Sequence, residues 1–159
     1  WQTHAGRRPL TLEYPIMKRL ILTLAVLIAA AGAPSFAQQS VGVRIEFQGP
    51  GGHSFGAYGR VSALHAASRT VILLQKALPA GSYQITNLTG GNSVNAIASD
   101  GIIELKLTAR GAKAYDTLVA AVTKAAEEGA AAENTFRGVK PGDLTAGAPA
   151  TIRTSVTRF

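Results

Sequence analysis

The hydrophobic period changes from that of a strand to that of a helix across a glycine-rich stretch. This change constrains the fold of the chain more than any other feature. Before the stretch, residues 41–48 strictly alternate apolar and polar side chains, which predicts a strand with one buried face. After it, Arg60 to Leu78 place apolar residues at helical spacing, and Pro79-Ala80-Gly81 ends the pattern. The strand, the turn and the amphipathic helix together predict the start of a mixed α+β unit.

The glycine-rich stretch, residues 48–60, reads Gln-Gly-Pro-Gly-Gly-His-Ser-Phe-Gly-Ala-Tyr-Gly-Arg. Its glycines let the backbone approach a ligand closely, and His53 can reach solvent there and hydrogen-bond an anion. We interpret the stretch as the mouth of a site, with an ordinary glycine-rich connection and an incidental histidine as the alternative. It is not a phosphate loop, because it lacks both the G-x-x-x-x-G-K-[ST] and the G-x-G-x-x-G patterns.

The N-terminal region has the pattern of a targeting segment. Residues 17–37 begin with Lys18 and Arg19, continue as an apolar run from Leu20 to Ala33, and end in a small-x-small cleavage pattern, which predicts a secretory signal peptide. The run is shorter than the ~20 residues that span a bilayer, so cleavage is favoured over a stable membrane anchor. Residues 1–16 are interpreted as upstream read-through, and the predicted location is secreted or periplasmic.

Cysteine content and charge narrow the function classes. The sequence has no cysteine, which excludes a disulfide framework and a thiolate metal site. From residue 38 onward there are twelve basic and eight acidic residues, a net charge of +4. The basic residues are scattered and not interleaved with aromatics, so we expect no nucleic-acid partner.

The remaining pattern completes an α+β order. Arg44 and Glu46 on the first strand could pair with Glu104 and Lys106 on a later one, across the open face of a sheet. Further segments are a strand over 82–89, a long polar connection over 90–101, a strand over 102–108, a helix from 112 to about 132, and a possible edge strand over 151–159.

This order predicts a two-layer α+β sandwich of the split βαβ, ferredoxin-like kind. The antiparallel sheet carries two helices on one face, the first and third strands lie side by side in the middle, and the second strand is an edge.

The surroundings of several further side chains in the sequence pattern predict their roles. Ile72 and Leu73 widen the apolar stripe of the first helix, so either a loop of the same domain or a second subunit covers them. His65 has no acidic or histidine partner one turn away, so we interpret it as a structural or surface residue. Glu127 and Glu128 are adjacent and point to different sides, which predicts solvated carboxylates.

Two motifs carry a family resemblance. Gly-Pro-Gly-Gly-His-Ser-Phe-Gly-Ala-Tyr-Gly-Arg-Val-Ser-Ala-Leu-His-Ala from position 49 and Leu-Thr-Gly-Gly-Asn-Ser-Val-Asn-Ala-Ile-Ala from position 88 resemble the dimerisation, or lid, domain of a zinc metallopeptidase family. That family includes carboxypeptidase G, aminoacylase and succinyl-diaminopimelate desuccinylase. The resemblance covers roughly Val41 to Asn134, which predicts a lid domain over 38–136 and a tail over 137–159.

The resemblance implies site residues. In that family the lid histidine and asparagine, here His53 and Asn95, reach the active site of the partner subunit and bind the substrate's carboxylate or scissile carbonyl oxygen. The family usually has Asp-x-Arg where this chain has Lys106 and Thr108. Arg110 has the same strand parity and could replace the missing arginine, provided that the strand continues to it.

Besides lacking the Asp-x-Arg pattern, this sequence departs from the family in a second way. The family's catalytic domain, with its metal ligands, has no counterpart here. We therefore predict no catalytic residue, no metal site and no cofactor, although full-length family members use zinc. Three functions stay open: an interaction module pairing with a copy or a full-length relative, a fragment of a secreted hydrolase whose catalytic half is encoded separately or lost, and a small carboxylate or peptide binder.

Overall fold

The computed structural model describes residues 38–159, so the predicted read-through segment and signal peptide lie outside the described residues. Neither helix of this part of the chain combines the length and apolar composition that crossing a bilayer requires. The elements are β1 Gln38–Gln48, β2 Gly52–His53, α1 Ala63–Ala77, β3 Tyr83–Thr89, β4 Ala96–Ile97, β5 Asp100–Arg110, α2 Ala112–Phe136, β6 Leu144–Thr145, β7 Ala148–Pro149 and β8 Arg153–Arg158.

The main sheet has the predicted ferredoxin-like topology. Its strand order is β3-β5-β1-β8, and every neighbouring pair is antiparallel. The predicted first and third strands, β1 and β5, therefore lie in the middle, and the predicted second strand, β3, forms one edge. The possible last strand is confirmed as β8, which forms the other edge beside β1.

The alternating residues of the two central strands form the floor of the core. Both helices pack on that face, while the opposite face is polar. On the polar face Arg44 donates from Nη1 to Glu104 Oε1 at 2.6 Å and from Nε to Glu46 Oε1 at 2.7 Å, which confirms the predicted pairing of Arg44 with Glu104. The buried strand residues are Val43, Ile45, Phe47, Ile103, Leu105 and Leu107.

The two helices approach each other closely at Gly129. A Cβ at Gly129 would collide with Thr70 Oγ1 and would lie 3.0 Å from the carbonyl oxygen of Ala66. Of the two extra apolar residues of α1, Leu73 packs against the core, whereas Ile72 stays 54% exposed. The domain itself therefore covers Leu73 but leaves Ile72 in solvent.

The start of α1 and the end of α2 differ from the positions that the sequence pattern predicts. α1 begins at Ala63 instead of Arg60, because Ser62 is its N-cap and accepts a hydrogen bond from the amide of His65 at 3.4 Å. α2 continues to Phe136, four residues past the predicted end, and stops where Gly138 adopts a φ of 69°. The two-stranded ladders β2–β4 and β6–β7 were missed, since two-residue strands have no detectable period.

Candidate functional site

A short ladder joins the glycine-rich loop to the asparagine loop. In it Gly52 pairs with Ile97 and His53 pairs with Ala96, and the amide of Ser54 donates to the carbonyl oxygen of Asn95 at 2.9 Å. The turn into this ladder requires glycine, because Gly51 has a φ of 60° and a Cβ there would lie 2.7 Å from the Cβ of Ser99. The ladder holds both loops at the same end of the main sheet.

His53 and Asn95 meet at this point. The Nδ2 atom of Asn95 lies 3.3 Å from the Nε2 atom of His53, and both residues are exposed. On the far side of the imidazole, the amide of Phe55 donates to Nδ1 at 3.3 Å. Ser93 donates from its hydroxyl to Asn95 Oδ1 at 2.5 Å.

These contacts leave the pair with more donors than acceptors. A neutral imidazole has one acceptor nitrogen, and the amide of Phe55 uses Nδ1. In the tautomer that accepts this bond the hydrogen is on Nε2, which then faces another donor, the Nδ2 of Asn95. Two adjacent donors of this kind are satisfied together by one shared acceptor oxygen.

Arg110 is not brought to this pair within one subunit. The strand does continue to Arg110, as its suggested role required, but Arg110 pairs with Gln38 at the far end of β5. The end of β5 at Asp100 pairs with Gln48, beside the glycine-rich loop. At ~3.3 Å per residue, the ten-residue step from Asp100 to Arg110 places the arginine about 30 Å from that end of the sheet.

A second polar cluster surrounds Glu133, which the sequence reasoning missed. Glu133 is fully buried. It accepts from the amide of Ser62 at 3.2 Å, from Arg69 Nε at 3.1 Å and from Arg137 Nε at 3.3 Å. The Nδ1 atom of His65 lies 3.8 Å from Glu133 Oε1, so His65 does have an acidic partner, from the other helix.

The signal for Glu133 was present in the helical period. Glu133 lies four residues after Gly129 and seven after Ala126, on the buried face of α2. A carboxylate at that position is buried, and therefore needs donors from neighbouring elements. Glu127 and Glu128, by contrast, are exposed as predicted.

A cleft of about 590 Å³ adjoins the His53–Asn95 pair. Ser54 and Ser93, the sequence neighbours of the pair, line it. Its charged or titratable basic side chains are Arg60, His65 and Arg137, and no acidic side chain of the described residues lines it.

Comparison with known proteins identifies the domain family. A family profile described as a peptidase dimerisation domain matches residues 38–134, more than half of the chain. The chain belongs to the peptidase dimerisation domain family. The match begins at the first residue of β1 and ends two residues before the end of α2.

Solved structures share the fold of this dimerisation domain. They include an aminobenzoyl-glutamate utilization protein from Klebsiella pneumoniae (13% identity, TM-score 0.59) and an amidase of the hydantoinase/carbamoylase family from Burkholderia multivorans (19%, TM-score 0.57). A third is a dinuclear metal-binding peptidase from Bacillus subtilis (17%, TM-score 0.51). The alignments cover 76%, 77% and 77% of this chain but 28%, 28% and 26% of those chains. None of the curated proteins matches the chain.

The described residues do not form the zinc site that the wider peptidase family implies. Residues 38–159 contain no group of three or more histidine, aspartate, glutamate or cysteine side chains able to hold a metal. Their two histidines lie in separate clusters, with Asn95 and with Glu133. A catalytic zinc normally takes three protein ligands, so the dimerisation domain does not supply that set.

Proposed function

We propose that this dimerisation domain is a pairing module that self-associates, or joins a full-length relative, through β3 and α1. The observation that carries the proposal is the open edge of β3, which pairs on one side with β5 and on the other side with none of the described strands. Unpaired edge groups gain hydrogen bonds when a like strand adds to them. A two-fold pairing of β3 with its copy would extend the sheet across both subunits.

Exposed apolar side chains support the same surface. Ile72 on α1 is 54% exposed and Leu88 on β3 is 44% exposed. The chain runs from α1 directly into β3 through Pro79 and Gly81. Removing apolar side chains from water on association is favourable by roughly 25 cal/mol per Å² of buried surface, before the cost of association is subtracted.

Substitution of Ile72 tests the interface. We expect the unmutated protein to be dimeric by light scattering and Ile72→Glu to be monomeric with an unchanged circular dichroism spectrum, because the new charge would be buried without a partner. Ala120→Glu, at an exposed position of α2 outside the proposed interface, adds the same charge and is expected to stay dimeric. Monomers of the unmutated protein at high micromolar concentration would rule out this interface.

We also propose that His53 and Asn95 bind one oxygen of a carboxylate or carbonyl group. The excess of donors at the pair supports this role, because an acceptor oxygen satisfies Nε2–H and Nδ2–H together. In the absence of ligand, a half-turn of the Asn95 amide points Oδ1 at Nε2–H and Nδ2 at the Ser93 hydroxyl, which can accept as well as donate. Ligand binding then requires only a side-chain rotation.

Weak affinity is expected from this pair alone. Each neutral hydrogen bond contributes only ~1 kcal/mol net, whereas millimolar binding corresponds to about 4 kcal/mol. Titration with N-acetylglycine, followed by NMR, should shift the resonances of His53 and Asn95 together. Asn95→Asp replaces the amide donor by a carboxylate of the same shape and should abolish the shifts, and shifts confined to other residues would remove the basis for this site.

The domain is proposed to contribute binding and pairing, not catalysis. The support is its donor set, which lacks three convergent metal ligands among residues 38–159. We expect no stoichiometric zinc after dialysis and no turnover of acyl amino acids by the purified protein. One or two equivalents of zinc by elemental analysis, together with amidase activity, would contradict this.

Export is proposed on the sequence of residues 17–37 alone. If the predicted signal peptide is cleaved, amino-terminal sequencing of protein recovered from the periplasm or medium should start near Gln38. A first residue upstream of Met17 would contradict it.

A further inference from the structure

The strand at the other edge of the main sheet, β8, is also open on one side. All six of its residues pair with β1 in an unbroken register, and none of the described strands pairs with its outer side. In β3, by contrast, the register shifts between Ile85 and Asn87. Since β8 has neither an irregularity nor a proline, it presents a regular edge to which an extended segment can add.

The backbone hydrogen bonds of Phe159 show which groups of β8 point outward. Phe159 and Gly42 exchange both of their backbone hydrogen bonds, at 3.0 and 3.1 Å. Along an antiparallel ladder such pairs alternate with pairs that do not bond each other, so every second residue of β8 bonds β1. The residues between them direct their amides and carbonyl oxygens away from the sheet, and they are Thr154, Val156 and Arg158.

Two arginines flank this edge. Arg153 is exposed and forms no ion pair with the described residues. Arg158 donates from Nη2 to Asp116 at 3.0 Å and lies over the ring of Tyr115, 5.2 Å from its centre. These contacts position Arg158 on the helix side of the sheet and leave its other N–H groups without a hydrogen bond to the described residues.

The acidic side chains beside β8 are already paired. Asp116 pairs with Arg158, and Glu46, which lies opposite Ser155 on β1, pairs with Arg44. The strand itself has no acidic residue. The charge that remains free at this edge is therefore positive.

We propose that β8 binds an extended acidic peptide segment, which adds to the sheet as a further antiparallel strand. The outward amides and carbonyl oxygens supply the backbone hydrogen bonds, and the arginines supply the complementary charge. Because Arg153 and Arg158 are five positions apart, two acidic side chains with the same spacing lie opposite them, one on each face of the sheet. A second copy of β8 fits less well, since it would bring further arginines to this edge. The inference does not depend on β3 or on the His53–Asn95 pair.

A matched pair of peptides tests the inference on the unmutated protein. Glu-Thr-Val-Thr-Val-Glu with blocked termini aligns its glutamates with Arg158 and Arg153 when it runs antiparallel to β8. Gln-Thr-Val-Thr-Val-Gln is the uncharged control. We expect the glutamate peptide to bind about fivefold more tightly at low ionic strength. This preference should shrink in high salt, because both arginines are exposed.

Hydrogen exchange locates the bound peptide. The amides of Thr154, Val156 and Arg158 should become protected, whereas those of Ser155 and Thr157, which already bond β1, should not change. A methyl group on the backbone nitrogen of the third peptide residue, which faces Val156, should abolish binding. The same methyl group on the fourth residue, whose amide faces away from β8, should leave binding intact.

A pair of charge-removing variants tests the role of the arginines. Arg153→Gln should reduce the preference for the glutamate peptide about twofold, and the fold should be retained because this side chain bonds none of the described residues. Lys124→Gln, at an exposed position of α2, removes the same charge elsewhere and should keep the full preference.

Three results would overturn the inference. One is equal binding of the two peptides, and another is protection of β3 amides in place of those of β8. The third is protection of the outward β8 amides that rises with protein concentration and needs no peptide, which would show that a second copy occupies this edge.

Discussion

Two histidines only twelve positions apart lie in clusters of opposite character. His53 lies on an exposed loop beside Asn95, where donors outnumber acceptors. His65 lies on α1 beside Glu133, a buried acceptor that three other groups already bond. The two clusters therefore differ in the burial of the group beside each histidine and in how many hydrogen bonds that group already accepts, and this difference is our reason for proposing a ligand site only at His53.

The two clusters also connect different parts of the molecule. Glu133 ties the N-cap of α1, through Ser62, to α2 and to Arg137 in the segment that follows. The His53–Asn95 pair links two loops and contacts no core side chain through the hydrogen bonds described above. We therefore expect stability to depend on the Glu133 cluster and ligand binding to depend on the pair.

The largest effect is expected at Glu133. Glu133→Ala leaves two arginines without their buried partner and the amide of Ser62 without its acceptor, so it should lower the free energy of unfolding by about 3 kcal/mol. Chemical denaturation measures this. Glu128→Ala, at an exposed position of the same helix, is the control and should change it by less than ~0.5 kcal/mol. Equal effects of the two variants would show that the cluster is not a stabilising centre.

A smaller loss is expected one helical turn away, at Gly129. The added methyl group of Gly129→Ala collides with Thr70 and Ala66, so α1 and α2 must separate at a cost of about 1 to 3 kcal/mol. Ala131→Ser, at an exposed position of α2, should be nearly neutral in thermal denaturation. A stabilised Gly129→Ala would mean that the helix propensity of alanine outweighs this collision.

Substitutions in the exposed His53–Asn95 pair should affect ligand binding and leave stability almost unchanged. Asn95→Ala and His53→Ala should each change the free energy of unfolding by less than ~0.5 kcal/mol, while removing the ligand-dependent NMR shifts. Denaturation curves and titrations on the same samples separate the two effects. A large loss of stability in either variant would show that the pair stabilises the fold as the Glu133 cluster does, and would contradict the comparison.

The smallest effect is expected at Tyr115. Unlike the carboxylate of Glu133, its polar atom is not hydrogen-bonded to the described residues. Its hydroxyl is buried with no hydrogen-bond partner among the described residues, and this burial raises the pKa of Tyr115, with Arg158 opposing the shift and Asp116 adding to it. A raised folded-state pKa favours the neutral form, so its contribution to stability is present below pH 10 and is lost as the pH rises further. Tyr115→Phe should be close to neutral at pH 7 and should lose less stability than the unmutated protein above pH 10, measured by denaturation across that range.

Local pattern was sufficient for the main elements. The strict alternation of Val43, Ile45 and Phe47 and the helical spacing of α2 each repeat over many residues, so the two central strands and both helices follow from period alone. The β2–β4 ladder did not follow, because two residues on each side carry no period and pair only after the loops meet. The first residue of α1 also depended on a capping contact at Ser62.

For the candidate site, the sequence by itself determined which residues are chemically suited to it and at which end of the sheet they lie. His53 follows β1 and Asn95 follows β3, and these strands run parallel because each is antiparallel to β5. Only the tertiary structure decided the position of Arg110, at the far end of β5, and the contacts of Glu133 with Ser62, Arg69 and Arg137 across two helices. Strand direction follows from the order of elements, whereas a contact across the core depends on how helices with no shared sequence period pack against each other.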